Sequence, residues 1–129
     1  MADSKPTVAV IGASSDRGKF GNKAVRAHLK LGYDVYPVNP KGGEVEGLTA
    51  YTSIDDVPVS PLDRVSLYVP PQVGVAMLEA IAAKGCGELW LNPGTESAEL
   101  IAKAESLGLS AIQGCSIVDL GVTPGEFGQ

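Results

Sequence analysis

The stretch that most narrows the folds open to this chain is 7–31, TVAVIGASSDRGKFGNKAVRAHLKL. Thr7-Val8-Ala9-Val10-Ile11 is an unbroken, β-branched run without polar alternation, the pattern of a strand buried on both faces of a parallel sheet. Gly12 ends it. After Ala13, Ser14, Ser15 and Asp16 the period becomes helical, with Ala24, Val25 and Leu29 on one face and Lys23, Arg26 and Lys30 on another. A strand, a Gly/Ser turn and a helix in immediate succession deliver unpaired backbone N–H groups and the positive end of a helix dipole to one spot above a sheet edge. That spot attracts an anion. Arg17 and Lys19 sharpen the point, because cations near a helix N-terminus are disfavoured by about 0.3–1 kcal/mol each unless a bound anion reverses the sign. We therefore assign Arg17 and Lys19 to phosphate contact, and read Arg26 and Lys30 as a solvated face.

The rest of the chain continues the alternation. Gly32 stops the first helix, and Asp34–Val38 is a second strand, in which Pro37 must lie where no ladder donor is needed. Asn39-Pro40-Lys41-Gly42-Gly43 is a loop, and 44–61 is irregular apart from a short helical turn around Ser53–Val57. Arg64–Val69 is a third strand that runs into Pro70-Pro71, which opens a helix over Gln72–Lys84. Glu88–Leu91 is a fourth strand, Asn92–Thr95 its loop, Glu96–Leu107 a helix, and Leu109–Gln113 a fifth strand. The tail from Gly114 onward has no helical period, and the spacing predicts that it packs over strand ends or a neighbouring subunit; its apolar residues suggest a homodimer.

At 129 residues this reads as one domain spanning 1–129, an α/β, Rossmann-like, doubly wound parallel five-stranded sheet in three αβα layers. The expected strand order is 3-2-1-4-5, with ligand bound where the order reverses. Four loops converge there: Gly12–Gly21, Val38–Gly43, Val69–Gln72 and Asn92–Thr95.

Composition excludes several alternatives. The net charge of −5 argues against a nucleic-acid binder, and its distribution is uneven: 1–41 carries seven Lys and Arg against three Asp and Glu, whereas 42–129 carries three against twelve. Local positive charge on an acidic chain suits one polyanionic small molecule. No stretch approaches the roughly 20 apolar residues needed to span a membrane, and Met1–Pro6 lacks the apolar segment of a signal peptide, which predicts a cytoplasmic protein with Cys86 and Cys115 reduced. Two cysteines without neighbouring histidines make no metal site. The single histidine, His28, shares a helix face with Ala24 and Val25 and is read as structural, so no catalytic residue is assigned.

The dinucleotide fingerprint fails. Ser14 and Arg17 stand where G-x-G-x-x-G needs glycine, and Asn39 and Lys41 stand where an acidic residue would hold a free ribose 2′-OH. Lys41 suits a phosphorylated ribose, which leaves NADP and coenzyme A. Val-Ile-Gly-Ala-Ser at 10–14, Gly-Tyr-x-Val-x-Pro-Val-Asn-Pro at 32–40, Val-Pro-Pro at 69–71 and Gly-Val-Thr-Pro-Gly-Glu at 121–126 resemble the small single-domain CoA-binding proteins. These are similar to the N-terminal CoA-binding domain of the succinyl-CoA synthetase α subunit. The resemblance implies that Gly12, Ala13, Ser14, Ser15 and Arg17 meet the nucleotide phosphates, and that Asn39, Pro40 and Lys41 lie near the phosphorylated ribose. By the same token Val69, Pro70 and Pro71 would line the adenine or pantetheine path, and Asn92, Pro93 and Gly94 would close the far side. It implies binding of coenzyme A or an acyl-CoA by a binding or regulatory module, without nucleic acid or membrane. The synthetase's phosphorylated-histidine domain is not part of the match, so ligase activity is not carried over. The alternative is an NADP-linked oxidoreductase or a CoA-dependent transferase subunit completed by a partner chain; a structural domain without ligand ranks last.

Overall fold

A computed structural model describes residues 5–128; most of Met1–Pro6, and so the reading of that segment, lies outside the described residues. Five parallel strands form the central sheet: β1 (Thr7–Ile11), β2 (Asp34–Val38), β5 (Leu62–Leu67), β6 (Cys86–Leu91) and β7 (Ala111–Gln113), with a small antiparallel hairpin of β3 (Glu44–Val45) and β4 (Leu48–Thr49) beside them. The helices are α1 (Phe20–Lys30), α2 (Pro71–Lys84), α3 (Ala98–Ser106) and the short α4 (Ser116–Asp119), with 3-10 turns at Ile54–Asp56 and Pro124–Phe127. The Rossmann-like three-layer architecture stands.

The strand order does not stand as expected. It runs β2-β1-β5-β6-β7, so the third long strand pairs with the free side of β1 instead of lying outside β2. The physical reason is Pro37. In β2 it lacks a donor, and the observed order leaves β2 at the edge, where Tyr51 alone completes its outer side by donating to the Pro37 carbonyl at 2.9 Å. The direction of winding therefore reverses between β1 and β5, and the chains leaving these two strands part to opposite faces of the sheet.

Alternation along the strands divides the core. Ala9 and Ile11 of β1 join Val65 and Leu67 of β5 under α2 and α3, with Leu78, Ile81, Leu100 and Ala104 fully buried against them. Val8 and Val10 face α1 through Ala24, Val25 and Ala27. On that second face β5 presents Arg64 and Ser66, so part of the interior is polar. Every buried side-chain nitrogen and oxygen among the described residues nonetheless has a partner.

The tail covers this face of its own subunit. Ile117 and Phe127 are buried beside α1, and the Pro124–Phe127 turn is closed by a reciprocal Thr123–Glu126 cap. Two of the apolar residues that suggested a dimer are thus used within the chain, whereas Val118 stays exposed. Arg26, expected to be solvated, instead clamps the tail by donating to the carbonyls of Phe127 at 2.6 Å and Gly128 at 3.3 Å. No helix among the described residues is long and apolar enough to cross a membrane.

Candidate functional site

The turn after β1 is built for close approach. Gly12 has φ +90°, and a Cβ there would lie 2.4 Å from the Tyr68 carbonyl oxygen; a Cβ on Gly21 would lie 2.2 Å from the Gly12 carbonyl oxygen. The two glycines let the start of α1 rest directly on the end of β1 and beside the end of β5. Helix α1 has no side-chain cap, no acidic residue in its first turn, and Lys19 at its N-cap position. Ser14 caps no helix; its hydroxyl accepts from the Asp16 amide at 3.0 Å, and Asp16 Oδ1 in turn accepts from the Gly18 amide at 2.9 Å. The amides of Ser14, Ser15, Phe20 and Gly21 donate to no group among the described residues. This is an uncompensated positive helix end with free donors.

A cleft of about 660 Å³ opens at this point, over the switch between β1 and β5. It brings together Gly12, Ala13, Ser14, Ser15 and Lys19 from the first loop, Asn39 and Lys41 from the second, Val69, Pro70 and Pro71 from the third, and Pro93 and Gly94 from the fourth. Asn39 holds two of these loops in register, its Nδ2 donating to the Ala13 carbonyl at 2.7 Å and its Oδ1 accepting from the Lys41 amide at 2.8 Å. Its side-chain polar atoms thus tie the first loop to the backbone of Lys41 in the second.

Three expected residues are not among the lining. Arg17 turns away: its Nε lies 3.4 Å from Glu46 Oε2 at the tip of the β3–β4 hairpin, with the side chain half exposed. A carboxylate contributed by a hairpin far along the chain satisfies the charge that the sequence assigned to phosphate. Pro40 is exposed at the turn beside Asn39. Asn92 is buried below the cleft, where its Nδ2 donates to Ser66 Oγ at 2.9 Å and to the Leu67 carbonyl at 2.8 Å, and its Oδ1 accepts from the Ser116 amide at 2.9 Å. Asn92 is therefore a brace between β5, β6 and α4. Asn92→Ala is expected to lower stability by about 3 kcal/mol, because buried partners lose their hydrogen bonds, while leaving ligand affinity of the folded protein unchanged; urea unfolding and a ligand titration check the two halves.

The cleft also holds Phe20, Gly21, Gly42 and Thr95, which lie in the predicted loops but were not singled out, and Glu44, Val45 and Tyr68, which lie outside them. Phe20 is an exposed aromatic at the mouth, with Lys23 Nζ 5.1 Å from its ring centre. An aromatic placed directly after Lys19 at a helix start was the available signal. Tyr68 lies on the floor, its hydroxyl 3.3 Å from Ser116 Oγ, and burial pushes its pKa up to about 12, so it stays a neutral phenol. Burial likewise pushes the Cys86 thiol up to about 11, which disfavours a thiolate there. His28 is buried within the α1 face and does not line the cleft. No cluster of three or more metal-ligating side chains occurs among the described residues.

Comparison with known proteins agrees with this geometry. A family model described as a CoA binding domain matches residues 6–121. The α subunit of the ADP-forming acetate–CoA ligase I of Pyrococcus furiosus is 33% identical over 94% of this chain, which spans 29% of that subunit. The ligase II α subunit of the same organism is 33% identical over 81% of this chain and 25% of its own length. The chain thus spans under a third of these curated relatives. Among solved structures, a conserved hypothetical protein from Pyrococcus furiosus superposes with a TM-score of 0.79 at 32% identity, covering 90% of this chain and 99% of that one. The dinucleotide-forming acetyl-coenzyme A synthetase 1 of Ca. Korarchaeum cryptofilum, in complex with phosphate and ADP, superposes with a TM-score of 0.72 at 28% identity over 86% of this chain and 26% of that one. With a family match over nearly its whole length, and a cleft at the strand-order switch edged by free backbone donors, the chain belongs to the CoA binding domain family.

Proposed function

We propose that this chain binds coenzyme A, free or acylated, in the cleft between β1 and β5, acting as a single-domain cytoplasmic binding or regulatory module without catalytic groups of its own. The observation that carries the reading is the convergence of Lys19, Lys41 and the free amides of Ser14 and Ser15 on one cleft at the uncapped start of α1. Those amides suit the pyrophosphate, in the manner of other helix-terminal anion sites. Lys41, held by Asn39, suits the 3′-phosphate of the ribose. Val69, Pro70, Pro71, Pro93 and Gly94 give the longer wall that a pantetheine arm needs. Arg17 lies outside the cleft lining, its guanidinium paired with Glu46.

The test is calorimetric titration of ligand-stripped protein with CoA, 3′-dephospho-CoA and NADP. CoA is expected to bind at least tenfold more tightly than 3′-dephospho-CoA, as suits one charge-assisted contact of about 1.5–3 kcal/mol, and Lys41→Ala is expected to abolish that difference. NADP binding without CoA binding would replace this reading with that of an NADP-linked oxidoreductase.

A second reading has its own support. The curated relatives are ligase subunits more than three times the length of this chain, which favours a module that works with a partner chain in a CoA-dependent transfer. CoA binding is common to both readings. Acyl transfer from CoA that appears only when a second purified chain is added would select the partnered one.

A further inference from the structure

Two polar side chains on α1, Asn22 and Arg26, stand outside the cleft lining and yet join three segments distant in sequence. Asn22 is fully buried. Its Nδ2 donates to the Ser14 carbonyl at 2.9 Å and to Glu46 Oε2 at 3.0 Å, and its Oδ1 accepts from Arg26 Nε at 2.7 Å. Arg26 Nη2 donates to the carbonyls of Arg17 at 2.9 Å and Phe127 at 2.6 Å, and Nη1 donates to the Gly128 carbonyl at 3.3 Å. The Asn22 amide fits in one orientation only. Reversed, its NH₂ would face the guanidinium, and its oxygen would face a carbonyl and a carboxylate.

We propose that Asn22 and Arg26 are positioning residues that tie the anion-binding loop to the carboxy-terminal tail, so that the docked tail sets the affinity of the cleft. The inference rests on the reading that the cleft binds CoA. Amides at Ser14 and Ser15 can converge on an anion only while the carbonyls between them and the helix are held turned away. Ser14 and Arg17 supply the two loop carbonyls that side chains of α1 hold. Released from them, the loop must be ordered at the moment of binding, at a cost in affinity. The tail residues Thr123–Gly128 contribute nothing to the cleft lining, so an effect of the tail on binding passes through Arg26. Phe127 seats the tail there, its ring centre 5.9 Å from the Arg26 guanidinium carbon and 5.8 Å from Lys30 Nζ.

The experiment compares Asn22→Ala, Arg26→Ala, the double variant and Phe127→Ala, all in the full chain. Each is measured by CoA calorimetry and by ligand-free hydrogen exchange of amides 13–18. Asn22→Ala and Arg26→Ala are each expected to weaken CoA binding about tenfold and to speed exchange in the loop. The double variant is expected to lose clearly less than the product of the two singles, because the Arg26 Nε–Asn22 Oδ1 hydrogen bond makes them one network and each single change already loosens the other contact. Phe127→Ala, remote from the cleft, is expected to weaken binding about threefold with faster loop exchange. A lowered unfolding midpoint with wild-type affinity and wild-type loop exchange would mean a merely structural role and overturns the proposal. So does a hundredfold, additive loss in the double variant. If the wild-type protein binds no CoA, the functional reading fails, and the exchange data decide this one alone: unchanged exchange in Phe127→Ala overturns it. If Arg26→Ala does not fold, Phe127→Ala carries the same test.

Discussion

Gly21→Ala is expected to cost about 3 kcal/mol of folding stability and to abolish ligand binding. The methyl carbon would sit 2.2 Å from the Gly12 carbonyl oxygen and 3.3 Å from Ala13 Cα, both main-chain atoms with no rotamer to change. The helix cannot back away either. Ala24, Val25, Ala27 and His28 are fully buried on the inward face of α1, so retreat would open a gap along the whole contact. Total stability of a domain this size is about 5–15 kcal/mol, so the loss is a large fraction of it. Binding suffers independently, because the free amides of Phe20 and Gly21 move with the helix start. Urea unfolding and CoA calorimetry measure the two effects. The control is Gly125→Ala, where an added Cβ meets only Thr123 Oγ1 at 3.9 Å. An equal loss there would show that close approach at Gly21 is not the cause.

Acidification from pH 6.5 to 4 is expected to remove about 3 kcal/mol of stability through His28 alone. Burial, reinforced by the positive charge of Arg64, lowers the imidazole pKa from 6.5 to about 4, against the raising influence of the Ala24 hydrogen bond and of Asp119. The direction follows from proton counts. Above pH 6.5 His28 is neutral both folded and unfolded and gives no pH dependence. Between 6.5 and about 4 the unfolded chain takes up a proton that the folded protein refuses, so stability falls as pH falls. The surroundings explain the refusal. Nδ1 donates to the Ala24 carbonyl at 2.8 Å, which leaves Nε2 facing Arg64 Nη1 at 3.5 Å, and Tyr33 packs edge-on with ring centres 4.9 Å apart. Arg64 itself is held by Asp119 at 2.8 Å and Glu88 at 3.1 Å, so those carboxylates are engaged with the guanidinium. His28→Gln should flatten the pH dependence of the urea midpoint in this window, and the histidine ring protons should titrate near pH 4 in the folded protein. Titration near 6.5 would contradict the burial argument.

Much of the scaffold was legible because its signals are local. The run Thr7–Ile11, the glycine stop at Gly12, the period through Ala24 and Val25, and Pro71 at a helix start each act within a few residues, although Leu29, read onto the same face, is exposed. Pro37 was read as a residue needing no ladder donor, yet the expected order still placed β2 in the interior; only the pairing of β5 with β1 puts β2 at the edge. The loops that meet at the cleft were legible for the same reason, since parallel strands all end on one side of the sheet.

The charges and amides were harder to read, because their partners lie far away along the chain. Arg17 sits in the turn as expected, but the hairpin carrying Glu46 reaches it first. Asn92 ends its strand as expected, but Ser66 and Ser116 surround it. Arg26 looked like a solvated cation on an exposed helix face until the tail folded back over it. Local sequence thus determined the five long strands, the three long helices and the Gly/Ser turn after β1, though not the β3–β4 hairpin or the short α4, because backbone preference and hydrophobic period are properties of neighbouring residues. The tertiary structure alone decided strand order and which polar group each side chain meets, because those depend on how segments dozens of residues apart compete for the same few donors and acceptors once the chain has closed.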